Sequence, residues 1–180
     1  MNGVQAHFAR VYEDNVWRVY GFLAYRVGDR ATAEDLTQTT FERALRAWGR
    51  FDPRRASETT WLLAIARNAL IDHLRREGSA PTAVLDESAL PLAAGPEERA
   101  GGSPELLAAV MSLSERDREV LALRFGGDLS GAQIAATLEL SLANVQQILS
   151  RSLRQLRQKL DQQRAGSVSA DMPGPGRSAP

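Results

Sequence analysis

The sequence predicts an all-α protein of two small helical domains joined by a flexible linker, and three observations carry that prediction. Aromatic residues make up only 6% of the 180-residue chain, alanine, leucine and arginine dominate, and β-rich runs are few, a balance that favours helices over sheets. Apolar residues recur at spacings of three and four through several stretches, the period of a helix with one buried side. Ser or Thr stands ahead of most of these stretches, where a helix N-terminus needs a side-chain acceptor for its free amides.

The first domain is placed at residues 1–78. Phe8, Val11, Tyr12, Val16, Val19, Tyr20 and Leu23 form a helical stripe through roughly residues 4–27, and Gly28-Asp29 breaks it. Thr32 with Asp35 resembles a capping box; Leu36, Thr40, Phe41, Ala44, Leu45 and Trp48 supply the buried side of the next helix, with Glu34, Asp35, Gln38, Thr39, Glu42 and Arg46 outside. FDPRRASETT then reads as a loop, because Pro53 disfavours helix at Asp52. The stretch WLLAIARNALIDHLRRE, residues 61–77, follows as a helix with two unlike faces. Leu62, Ile65, Ala66, Ala69, His73 and Leu74 line one side; Arg67, Asn68, Asp72, Arg75 and Arg76 gather on the other. Solubility alone does not call for that polar set.

Residues 79–103 are rich in Pro, Gly, Ala and Ser without sustained helical period, and read as the linker. About 25 residues stretch to roughly 80 Å, more than two turns of DNA at about 35 Å each, so two domains so joined could grip separated sites. The second domain spans 104–164. Ser103-Pro104, Ser114 with Asp117, Ser130 with Gln133, and Ser141 with Asn144 mark four helix starts. The last two helices, joined by a turn of about three residues, have helix-turn-helix proportions. Val145, Ile148, Leu149, Leu153, Leu156 and Leu160 form the inner stripe of the final helix; Ala143, Gln146, Gln147, Ser150, Arg151 and Arg154 lie outside it. The tail, 165–180, is too poor in apolar residues to pack and reads as disordered.

Composition also excludes functions. There is no cysteine, which removes disulfides, thiolate zinc sites and thiol nucleophiles. No stretch approaches the roughly 20 apolar residues a membrane helix needs, and the N-terminus lacks a secretory pattern, so the reading is cytoplasmic. With 43% hydrophobic content the chain can bury one moderate core or two small ones. Its net charge is zero, yet residues 143–164 carry Arg151, Arg154, Arg157, Lys159 and Arg164 against Asp161, and charge concentrated on one element matters more to phosphate than the whole-chain sum. His7 and His73 are the only histidines; structural or surface roles suit them better than metal or proton transfer. No metal cluster, nucleotide loop or nucleophile constellation is present, so no cofactor is expected.

A helix entering the major groove needs small or amide side chains near its N-terminus and cations further along. The final helix has that order: Asn144, Gln146 and Gln147 suit adenine edges, at roughly 1–3 kcal/mol of discrimination per good pair, and Arg151 and Arg154 suit phosphates. A soluble surface helix kept wet by Gln and Arg fits the same pattern equally well.

AEDLTQTTFERALRAW followed by WLLAIARNALIDHLRR resembles domain two of the sigma family of bacterial transcription initiation factors, and LSERDREVLALRFGGDLSGAQIAATLELS resembles its domain four. The two-domain layout is similar to the minimal, extracytoplasmic-function branch, over about residues 8–78 and 105–160. The resemblance implies that the helix from Trp61 to Glu77 and its preceding loop engage the minus-10 promoter element and capture a base from the opened strand. Arg54 and Arg55 of that loop, with Arg67, Asn68, Arg75 and Arg76, would then meet DNA, and Asp72 would orient the arginines. Extruding a base costs a few kcal/mol, which a shaped pocket must recover. Trp61 either stacks at the fork or anchors the core. By the same likeness Glu34, Asp35, Gln38, Thr39, Glu42 and Arg46 would bind the coiled coil of the largest RNA polymerase subunit; an ordinary solvated face with i,i+4 pairs is the plain alternative.

The recognition helix departs from the family, which often runs threonine-valine-lysine-serine-arginine-leucine where this chain has Asn144, Val145, Gln146, Gln147, Ile148 and Leu149. Two usual cations are missing, implying weaker or differently specific minus-35 contact. The expected partners are RNA polymerase core enzyme, promoter DNA and an anti-sigma protein, with no membrane insertion. The alternative is a helix-turn-helix regulator that binds duplex DNA without polymerase. A small enzyme fits poorly, for want of an assembled polar site.

Overall fold

The computed structural model describes residues 3–77 and 104–170, and the linker assigned to 79–103 and the last ten tail residues lie outside them. Helix α1 (Gly3–Val27), α2 (Arg30–Ala47), a short 3-10 turn (Trp48–Arg50) and α3 (Glu58–Arg76) form the first half. The second half holds α4 (Pro104–Met111), α5 (Glu115–Leu121) running into a wider π-type turn (Ala122–Gly126), α6 (Gly131–Leu138) and α7 (Leu142–Ala170). No strand occurs among the described residues.

Local chemistry sets each start. The Asp29 carboxylate, rather than Thr32, caps α2 by accepting from the Thr32 amide at 2.6 Å, which satisfies an amide the helix cannot. Gly28, at φ +70°, makes the left-handed step that ends α1. Ser57 caps α3 at the Thr60 amide, so this helix begins three residues before Trp61, inside the stretch read as loop. Ser114 caps α5 at the Asp117 amide. Ser130 makes a full capping box, its hydroxyl accepting from the Gln133 amide while the Gln133 side chain accepts from the Ser130 amide at 2.9 Å. Ser130→Ala is therefore expected to cost about 1 kcal/mol and to lower Tm by roughly 2–4 °C; an unchanged thermal melt would show that the cap is dispensable. Glu139, in the left-handed region at φ 54°, turns the chain from α6 towards α7, and the Ser141 hydroxyl accepts from the Asn144 amide at 3.1 Å.

The stripes hold with informative slips. Phe8, Val11, Val19, Leu23, Leu36, Phe41, Ala44, Leu62, Ala66 and Ala69 are buried. Tyr12, Leu45 and Leu153 are instead about half exposed, each at the edge of its stripe. On α7 the buried line runs Val145, Ile148, Ser152, Leu156, so Ile148, where the family pattern has a cation, is a packing residue. Buried Asn15 is satisfied on both sides: its amide donates to the Val11 carbonyl at 2.9 Å and its oxygen accepts from Thr59 at 2.6 Å, tying α1 to the first turn of α3. Helix α7 continues to Ala170, past the point at which the composition predicts it to stop.

The two helical domains pack directly on one another. Val120, Ala122, Leu123, Leu129, Ile134, Val145 and Ile148 belong to the same buried cluster as Phe22, Leu62, Leu63 and Leu70. A smaller cluster, Ala109, Val110, Leu113, Leu121 and Leu156, closes α4 and α5 on α7. The turn after α5 lies directly on α1, where Gly21 and Gly126 let the backbones touch: a Cβ built on Gly21 would sit 2.9 Å from the Gly126 carbonyl oxygen.

Candidate DNA and polymerase interfaces

On the outer side of α3, Asn68, Arg75 and Arg76 are exposed, opposite the fully buried Leu62, Leu63 and Ala66. Asp72 does not reach the outer arginines through its carboxylate; that group accepts from Arg43 of α2 at 2.8 Å, and Arg76 donates only to the Asp72 carbonyl at 3.2 Å. Arg67 is partly covered. Its Nε donates to the Glu119 carboxylate of α5 at 2.6 Å, a short charge-assisted bond between the two halves.

The loop ahead of α3 folds on itself. Arg54 Nε donates to Asp52 at 3.1 Å and the Arg54 amide donates to the same oxygen at 3.0 Å, and these bonds hold the Asp52 carboxyl below the usual carboxylate range. Arg55 is exposed. Trp61 lies in an aromatic cluster, with ring centroids 5.1 Å from Phe51 and 5.8 Å from Trp48, and it packs on the main core. Trp61 thus packs on the core, and its contact with Phe51 ties the start of the loop to α3.

A second feature opens between α1 and α2. A groove of about 670 Å³ is lined by Tyr12, Val16, Trp17, Phe41 and Leu45, with Glu34, Gln38 and Glu42 along one edge. Trp17, Tyr12 and Leu45 are half exposed there, an apolar concentration that single surface residues do not produce. Of the residues assigned to polymerase, Glu34, Gln38 and Glu42 line this groove; Asp35, Thr39 and Arg46 stand off it. The sequence reading placed Tyr12 and Leu45 in the core, whereas both are half exposed along this groove, and it did not single out Trp17.

On α7, Ala143, Asn144, Gln146, Gln147, Ser150 and Arg154 are exposed while Val145 and Ile148 are buried. Arg151 is different, since it donates to the buried Asp117 carboxylate at 2.6 Å and so braces α5 against α7.

The sigma-70 region 2 family profile matches residues 11–80 and the sigma-70 region 4 profile matches residues 109–158. The ECF RNA polymerase sigma factor SigC of Mycobacterium tuberculosis is 34% identical over 81% of this chain and 77% of its own length. The chain belongs to the ECF RNA polymerase sigma factors. As a sigma factor it serves promoter recognition and transcription initiation by RNA polymerase. BldN of Streptomyces coelicolor, also named an ECF sigma factor, is 34% identical over 83% of this chain, which spans 58% of that relative's length. In fold, this ECF sigma factor is similar to RpoE from Bartonella quintana, solved in complex with the anti-sigma factor NepR, at a TM-score of 0.68, 21% identity, and 86% and 97% coverage of the two chains. Among the described residues of this sigma factor no helix is long and apolar enough to cross a membrane, and no group of three or more acidic or histidine side chains could hold a metal.

Proposed function

We propose that this sigma factor divides its work among three faces. The outer side of α3, with Arg54 and Arg55 of the loop before it, engages the minus-10 element; the N-terminal outer side of α7 reads the minus-35 element; and the groove between α1 and α2 receives the coiled coil of the largest polymerase subunit. The supporting observation is that Asn68, Arg75, Arg76, Ala143, Asn144, Gln146 and Gln147 all face solvent on helices whose opposite sides are core. The short Ala143 side chain lets α7 approach base edges, and the flanking amides supply paired donors and acceptors. Arg151, engaged by Asp117, leaves Arg154 as the nearer phosphate contact, so minus-35 binding is weak in isolation. This weakness counts against a regulator that binds duplex DNA without polymerase.

The protein acts in the cytoplasm and catalyses no step itself; synthesis belongs to the core enzyme. Sequestration by an anti-sigma protein, the kind of complex in which RpoE was solved, completes the proposed partners. The double substitution Asn68→Ala/Arg76→Ala tests the assignment. With core enzyme and a promoter selected from a randomised library, strand opening read by permanganate reactivity should fall about tenfold, the effect of roughly 1.4 kcal/mol. Affinity for core enzyme should stay as it is. A loss of core affinity instead would mean that the faces are exchanged.

A further inference from the structure

Residues 142–150 open α7, and they hold no charged side chain; Leu142, Ala143, Asn144, Gln146, Gln147 and Ser150 are their exposed members. In the major groove each base pair shows its own edge. Guanine presents two acceptors, which the donors of arginine or lysine match, and cytosine presents a donor, which a carboxylate matches. Neither partner stands on this stretch. The first cation after it is Arg151, whose guanidinium is held at 2.6 Å by the Asp117 carboxylate, a side chain only 6% exposed. The first acid of α7 is Asp161, about 16 Å beyond Ser150 at 1.5 Å per residue.

What the stretch does offer fits the other base pair. Adenine shows one donor beside one acceptor, the pair that an Asn or Gln amide engages bidentately, and Asn144, Gln146 and Gln147 are three exposed amides in four residues. Leu142 completes the match. It is 46% exposed at the first position of α7, well away from the apolar groove between α1 and α2. The start of α6 makes room for it: a Cβ built on Gly131 would lie 3.1 Å from Leu142 Cδ1. The apolar feature that a base edge shows in the major groove is the thymine methyl.

We propose that the minus-35 element of this sigma factor is a short run of A·T pairs, with adenines read by Asn144, Gln146 and Gln147, a thymine methyl read by Leu142, and G·C pairs rejected. The inference rests on the reading of α7 as the minus-35 helix. Residues 142–150 rise about 12 Å, the length of about three to four base pairs at roughly 3.4 Å each. A guanine within the run would set its two acceptors against an amide carbonyl, and polar groups would be left unpaired on both sides. Asp117 sharpens the choice by withholding the one nearby guanidinium that could reward guanine.

The test uses core enzyme with the full-length chain. A promoter is selected from a randomised library, its minus-35 region is randomised again, and the open complexes that form are sequenced. The recovered element should hold a run of about three to four A·T pairs, with each change to G·C lowering occupancy about tenfold. Replacing the thymidines of the run one at a time by deoxyuridine, which removes only the methyl, should weaken occupancy about fourfold at one position. In Leu142→Ala that loss should vanish. Gln147→Arg, at an exposed site, should bring guanine into the run at one position. Guanine or cytosine recovered by the wild-type protein within the run overturns the proposal. A deoxyuridine effect that persists in Leu142→Ala also overturns it, because the preference would then come from the shape of the duplex. If Gln146→Ala/Gln147→Ala recovers the same element at the same occupancy, the fault lies in the reading of α7 as the minus-35 helix.

Discussion

Leu45→Arg is expected to weaken binding to core RNA polymerase about 30-fold or more while leaving the thermal melt within a degree or two of wild type. Leu45 is 52% exposed on α2, facing Tyr12 at 46% and Trp17 at 50% across the groove. A partner helix laid in such a groove buries these side chains against its own apolar positions, and hot spots of this kind concentrate in aromatic and aliphatic anchors rather than in the charged rim. The rim is already satisfied internally: Arg30 donates to Glu34 at 2.7 Å, and Gln38 donates to Glu42 at 3.1 Å. Losing the burial of one leucine forfeits about 2 kcal/mol, equivalent to about 30-fold in affinity, and the new cation would have to be desolvated in an apolar groove. A fluorescence titration with purified core enzyme decides the matter. Affinity within twofold of wild type would remove the groove from the interface.

Most of the helical scaffold was legible because its signals are local. Ser114, Ser130 and Ser141 cap the helices their spacing announced, since a capping bond spans only three residues. The sidedness of α3 and α7 followed from period alone, and Asn68, Arg76, Ala143 and Gln147 are exposed accordingly. What could not be read was anything set by a distant neighbour. Tyr12 and Leu45 sit at the margins of apolar stripes, where only the gap between two helices determines whether a residue is core or groove. Asp29 was passed over as a helix breaker although it is the cap of α2. Arg67 and Arg151 look alike in sequence to Arg75 and Arg154, yet carboxylates from 52 and 34 positions away claim them. The contact between the halves was invisible for the same reason: Gly21, Gly126 and Gly127 carry no apolar signal, and their lack of a side chain is what permits it.

That contact makes Leu63→Ala the largest expected change in stability. Leu63 is fully buried on α3, outside the stripe read from the sequence, and its methyl meets the turn at Gly127 from the other half of the chain. Truncation of this fully buried side chain leaves a cavity beside Gly127, so a cost near 3 kcal/mol is expected. For a protein of this size the melting temperature should fall by roughly 6–12 °C. The three tryptophans, Trp17, Trp48 and Trp61, all lie in the first half, whereas helicity reports on both. With one shared core the two signals should melt together in the wild type and shift together in Leu63→Ala, as a single cooperative unit does. Separate transitions, with the late helical signal unmoved by the substitution, would mean that the second half folds and melts independently of the first.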